Sequence, residues 1–231
     1  MRSLLLLWAS LLSAQCRLEI DLDGDRRPEV LRLRPFHAEQ PDRGALIVEK
    51  SGGPALTIDP DLTTRECHVM NIIGRRGVVV LPHGMQVRFY AIPDKLEGAW
   101  AARDIYSFYT ASWQGGLLQV DVDQDGLHDL ICGNYWIKSP THFDLPWRLF
   151  AINAFHEHPL SASAQLHWDG QRLLWVESRR PKGRVIWFRP PADPKQLWLG
   201  EAHPESEKLD CPQIVQAAGE LRISASTHRC R

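Results

Sequence analysis

The chain has 231 residues, of which 44% are hydrophobic and 24% charged, with a formal net charge of −1. This is the composition of an ordinary globular protein, and the near-zero charge excludes a global electrostatic pull toward nucleic acid or an anionic membrane. Nine Trp and sixteen Pro favour strands and tight turns, because aromatic side chains suit a pleated surface and proline punctuates turns and sheet edges.

Residues 1–15, MRSLLLLWASLLSAQ, have the three parts of a signal peptide. Arg2 supplies the positive start, Leu4 to Leu12 an apolar run too short to span a bilayer, and Ser13-Ala14-Gln15 small residues near a cleavage point. The sequence therefore predicts a secreted, extracellular or periplasmic protein, with residues 16–231 as one continuous domain. Lipid anchoring at Cys16 is disfavoured, because Gln15 stands where a small residue belongs. No later segment is apolar enough to cross a membrane. The five cysteines, Cys16, Cys67, Cys132, Cys211 and Cys230, form no CxxC pair, so neither a zinc ribbon nor a thioredoxin-like motif is indicated.

A repeat runs through the remainder. IDLDGDRRPEVLRLR begins at Ile20, and VDVDQDGLHDLICG begins 100 residues later at Val120. Three more units follow from strand pattern alone: CHVMNIIGRRGVVVLPHGMQVRFYAI, SAQLHWDGQRLLWVESRRPKGRVIWFRPP and PQIVQAAGELRISASTH. Their first strands are expected near Leu18, Cys67, Leu117, Ser163 and Pro212, at intervals of 49, 50, 46 and 49 residues. Four strands are expected per unit. In the third they are GLLQVDV, HDLICGNYW, WRLFAIN and a stretch near Ser161. In the fourth they are SAQLHW, RLLWVES, GRVIWFR and QLWLGE. Four short strands per 40 to 50 residues is the size of a propeller blade, which must stack on neighbours to bury both faces. The predicted fold is all-β, a β-propeller of four-stranded antiparallel blades with about five units, the last incomplete. A β-sandwich of regularly spaced hairpins is the alternative.

The acidic loops carry the chemistry. Asp121, Asp123 and Asp125 alternate, Gly126 allows a sharp turn, the carbonyl of Leu127 offers another oxygen, and Asp129 closes DxDxDGxxD. Such a set suits Ca²⁺, a hard cation that takes six to eight oxygens, and crowded carboxylates demand a neutralising charge. An EF-hand is excluded: its twelfth position requires Glu, and here it is Cys132 inside an apolar strand. In the first unit Asp21, Asp23, Asp25, the carbonyl of Arg27 and Glu29 stand at the matching positions. In the second, fourth and fifth units GRR, WDGQ and AAGE stand in place of the acidic loop, as tight turns that need no ion.

These residues, DLDGDRRPEV and above all DVDQDGLHDLICGNYW, resemble FG-GAP/VCBS repeat proteins, the group that includes integrin α-subunit propeller blades and many secreted bacterial proteins. The resemblance implies a Ca²⁺-holding loop between the first and second strands of a blade. Gly133-Asn134-Tyr135-Trp136, followed by Pro140 and Trp147, adds to the likeness.

His156-Glu157-His158 is not HExxH and reads as a solvated loop ahead of Pro159. Trp136, Trp147, Trp168, Trp175, Trp187 and Trp198 read as filling between blades rather than as a ligand surface. Cys211 and Cys230 lie at the two ends of the last hairpin and are expected to pair. No P-loop, GxGxxG or GxSxG is present. The expected function is thus a non-enzymatic binding, adhesion or structural module that presents a surface to an extracellular protein or glycan. The competing function is an extracellular propeller hydrolase or lyase acting on polysaccharide.

Overall fold

A computed structural model describes residues 16–50, 52–108, 116–153, 164–178, 183–204, 206, 208–217 and 220–225. The chain is all-β, and its described helical content is one 3₁₀ turn at Pro82–Gly84. The first sheet is β1 (Arg17–Ile20), β2 (Glu29–Pro35), β3 (Arg43–Glu49) and β4 (Ala55–Thr63). The second is β5 (Cys67–Ile72), β6 (Arg75–Val80), β7 (Gln86–Ala91) and β8 (Ala102–Ser107). The third is β9 (Leu117–Val120), β10 (Asp129–Cys132), β11 (Tyr135–Lys138) and β12 (Arg148–Ala151). The fourth is β13 (Ala164–Trp168), β14 (Leu173–Glu177), β15 (Arg184–Arg189) and β16 (Leu199–Ala202), and β17 (Pro212–Ala217) pairs with β18 (Glu220–Ala225) in a two-stranded fifth sheet. Every sheet is an antiparallel meander in chain order. The first strands start at 17, 67, 117, 164 and 212, close to the expected starts.

The predicted HDLICGNYW strand is two strands. Gly133, at φ 55°, turns the chain so that Cys132 faces Tyr135 across a hairpin. The apolar residues on both sides of a two-residue turn read as one run, because buried strands lose the alternation that would mark their ends. The stretch near Ser161 that was expected to supply the fourth strand lies outside the described residues. Among the described residues the fourth strand of that sheet is β12.

Successive sheets stack face to face, and strand alternation explains how. On β6, Val78 and Val80 pack into a core shared with the first sheet, while Val79 packs into one shared with the third. On β10, Leu130 faces the second sheet and Ile131 the fourth. On β14, Leu173 and Trp175 face the third sheet, and Leu174 and Val176 face the fifth. Side chains i and i+1 point to opposite faces of a strand, so an unbroken apolar run feeds two cores at once. Among the described residues four buried clusters result, one between each successive pair of sheets. Trp136, Trp175 and Trp198 are buried in the third of these, with Trp168 packed against them, and Trp147 is buried in the second.

The first strands of three sheets converge on a cavity of about 440 Å³, lined by Leu18, Ile20, Met70, Leu117 and Gln119 among others. Five sheets of this kind are consistent with a β-propeller-like arrangement. A disulfide joins Cys16 to Cys67, from just before β1 to the start of β5. Its 51-residue separation is one repeat length, which is why two equivalent positions on adjacent sheets meet. Cys211 is also disulfide-bonded, while Cys230, its expected partner, lies outside the described residues. Cys132 is a buried free thiol. Among the described residues, no helix is long and apolar enough to cross a membrane. Residues 1–15, expected to form a signal peptide, and His156-Glu157-His158 lie outside the described residues.

Candidate metal centre

Both acidic loops connect the first strand of a sheet to the second. Each loop needs two residues in the left-handed region. In the first these are Gly24 (φ 79°) and Arg26 (φ 68°); in the third sheet they are Gln124 (φ 58°) and Gly126 (φ 87°). Glycine adopts this backbone freely, and each loop has glycine at only one of its two sites. Carboxylates hold the turn from within. Asp21 accepts from the amides of Gly24 (2.7 Å) and Arg26 (2.9 Å), and Asp121 accepts from those of Asp125 (3.1 Å) and Gly126 (2.9 Å).

The structure brings together Asp21, Asp23 and Glu29 in one loop and Asp121, Asp123 and Asp129 in the other. One oxygen from each member of a trio lies within 4.8 Å of the others. Asp25 and Asp125 stand outside these trios. Each uses Oδ1 to accept the amide two residues on, that of Arg27 (2.8 Å) or Leu127 (2.9 Å). Arg27 and Leu127, expected to contribute carbonyls, therefore enter the geometry first through their amides.

The closing carboxylates differ. Asp129 is fully buried and makes four contacts. Its Oδ1 accepts from the amide (2.8 Å) and hydroxyl (3.1 Å) of Ser139, and its Oδ2 from the Trp136 indole (2.8 Å) and the Val122 amide (3.4 Å). Burial pushes the Asp129 carboxyl above the usual carboxylate range, opposed by the Ser139 amide, Trp136 and the Lys138 charge. Glu29, also buried, accepts from the Leu22 amide at 2.7 Å. The tryptophan of the GNYW segment thus serves the loop directly. Its indole N–H reaches across the sheet because β10 and β11 form one hairpin.

Sequence reading missed the positive charges. Lys138 donates to Asp123 Oδ2 and to Asp125 Oδ2, the latter at 2.6 Å. Lys50 donates to Asp23 Oδ2. Burial works against the charge on Lys138, yet its hydrogen bonds outweigh that and hold its pKa above the ordinary lysine value. The same contact holds Asp125 below the usual carboxylate range, and Lys50 does this for Asp23. Arg76, in the GRR turn of the second unit, donates to the backbone carbonyls of Leu22 (2.8 Å) and Asp21 (2.6 Å). The GRR turn thus clamps the neighbouring loop. Sequence spacing gave no signal for these partners, which come from other strands and another sheet.

Asp123 Oδ1 is buried and has no hydrogen-bond partner. An unpaired buried carboxylate oxygen is costly, and here it belongs to a trio able to hold a metal ion. The residues therefore fit a cation: Asp121, Asp123 and Asp129 in one loop, Asp21, Asp23 and Glu29 in the other. No protein-family model matches this sequence, and it matches none of the curated proteins.

Proposed function

We propose that this chain is a secreted calcium-binding repeat protein of the FG-GAP/VCBS kind, a β-propeller acting as a non-enzymatic binding or adhesion module for an extracellular protein or glycan. The observation that carries the reading is the pair of equivalent three-carboxylate groups, one of which contains the orphaned oxygen of Asp123. Both groups are made only of hard oxygen donors, the chemistry that suits Ca²⁺ rather than a soft or nitrogen-seeking metal. The ion would supply charge that ties the two ends of a loop together and so fixes the rim of a sheet. The apolar run at Leu4 to Leu12 and the Cys16–Cys67 disulfide favour an oxidising, extracytoplasmic destination.

Calorimetric titration of chelator-stripped protein tests this. The expected result is binding on the order of 10⁻⁴ to 10⁻³ M, the range of extracellular modules, with a rise in Tm that depends on calcium concentration. Asp21→Asn combined with Asp121→Asn should remove both signals. No heat and no Tm change at millimolar calcium would overturn the reading.

A further inference from the structure

We propose that Lys50 and Lys138 are tethered counter-cations of the two acidic loops, competing with a divalent ion for the same carboxylates and so setting each loop's metal affinity. The proposal rests on the calcium reading above and extends it to residues outside the acidic motif.

The two lysines occupy one structural position. In the third sheet Leu130 pairs with Ile137, so Lys138 stands opposite Asp129. In the first sheet Val30 pairs with Glu49, so Lys50 stands opposite Glu29. Each ammonium reaches back over the closing carboxylate to the same atom of the loop, Oδ2 of the second aspartate, Asp23 or Asp123. The lysine accompanies the acidic loop. In the fourth sheet, where Asp169-Gly170 makes a tight turn, the residue paired with Leu173 at the start of β14 is Phe188.

An ammonium and a divalent ion both approach a carboxylate oxygen closely, the first at about 2.7–2.9 Å and the second at 2.3–2.6 Å. Like charges cannot share that oxygen in a half-buried loop without strong repulsion. Metal entry therefore requires the lysine to swing away. The ammonium satisfies Asp123 Oδ2 and Asp125 Oδ2 but leaves Asp123 Oδ1 unpaired, so it balances charge without filling the coordination that the trio offers. The two loops also differ. The Lys50 side chain is 46% exposed and Lys138 only 21%, with the Lys138 ammonium 5.8 Å from the centre of the Trp136 ring. Lys138 is the harder of the two to displace.

The test isolates one loop. In an Asp21→Asn, Asp23→Asn background, only the third-sheet loop retains its trio. Calcium binding by calorimetry and Tm with and without calcium are then compared for Lys138 and for Lys138→Met, which keeps the apolar stem and removes the charge. The expected result is roughly tenfold tighter calcium binding, together with a lower Tm in chelator. Lys138→Gln gives a second neutral side chain should the Met variant fold poorly, as judged by circular dichroism. Calcium binding that is unchanged or weaker in both neutral variants overturns the competition while leaving the calcium reading intact. Binding absent from the background protein and from both neutral variants, and absent too from the unmutated chain, overturns the calcium reading and the competition with it. Where the unmutated chain binds calcium, binding lost in the background protein and restored when Lys138 is neutralised supports the competition most strongly.

Discussion

The indole N–H of Trp136 donates to Oδ2 of Asp129 at 2.8 Å, and both side chains are fully buried. The tryptophan is therefore a core residue and a loop support together. Trp136→Phe keeps most of the apolar volume and removes the donor from a buried carboxylate. The expected cost is about 1–3 kcal/mol, read as a lower urea midpoint with an unchanged slope. Trp136→Leu should cost more, since it also opens a cavity beside Phe150, whose ring centre is 5.0 Å from that of Trp136.

The Cys16–Cys67 bond closes a loop of 51 residues and pins the first strands of adjacent sheets. Cross-links of this span restrict the unfolded chain by an amount worth about 4 kcal/mol. Replacing both cysteines by serine should lower stability by up to that amount, and reduction of the unmutated protein should lower Tm at least as far, since it also opens the bond at Cys211. An unchanged melting curve would show that the cores between sheets suffice without it.

Arg26 and Gln124 hold left-handed backbone at φ 68° and 58°. For a residue with a side chain this costs about 1 kcal/mol. Arg26→Gly and Gln124→Gly should each leave stability unchanged or raise it slightly, even though glycine costs entropy elsewhere. The opposite substitutions, Gly24→Ala and Gly126→Ala, should destabilise. A Cβ meets nothing within 4 Å at either glycine, so the penalty is purely conformational. Thermal melts of the four variants check the sign.

Phe143 and Asp144 bridge the second and third sheets in different ways. Phe143 is buried, 4.9 Å from Phe89 between ring centres, with the Arg75 guanidinium 4.7 Å from its ring centre. Asp144 pairs with Arg75 and Arg103 but is 63% exposed. Phe143→Ala should cost about 3–5 kcal/mol, whereas Asp144→Asn should change little and lose even that at high salt.

Glu49 is held below the usual carboxylate range chiefly by its hydrogen bonds to Arg32, made at 2.8 and 3.0 Å. A carboxyl depressed on folding stabilises the protein above its unfolded value, about 4.3, and loses that contribution as pH falls through the folded value. Glu49→Gln should therefore lower Tm at neutral pH, and the gap from the unmutated protein should close as pH falls through the depressed folded-state value. Asp129, shifted upward by burial, opposes this trend, since its protonation in acid favours the folded form.

Much of the fold is legible from strand starts, because a repeat near 50 residues fixes where each sheet begins. Ladder ends were not legible. The Gly133-Asn134 turn hides between apolar residues buried on both faces, so β10 and β11 read as one strand. At the site, Asp21, Asp23, Glu29, Asp121, Asp123 and Asp129 announce themselves by spacing within one loop. Lys50, Lys138, Trp136 and Arg76 do not, because they reach the loops through hairpin register or from another sheet, which no local pattern encodes. The Cys16–Cys67 pairing did carry a signal, a separation of one repeat, that points to equivalent places on neighbouring sheets.

Among the described residues each apolar cluster joins two consecutive sheets, so packing couples a sheet most directly to its neighbours. Damage to Leu46 in the first cluster and to Val176 in the fourth should sum without interaction, while damage to Val78 and Leu46, which share a cluster, should not. Such a body is a chain of springs in series rather than one kernel. A ligand held at one rim would therefore stiffen first its own sheet and those packed directly against it.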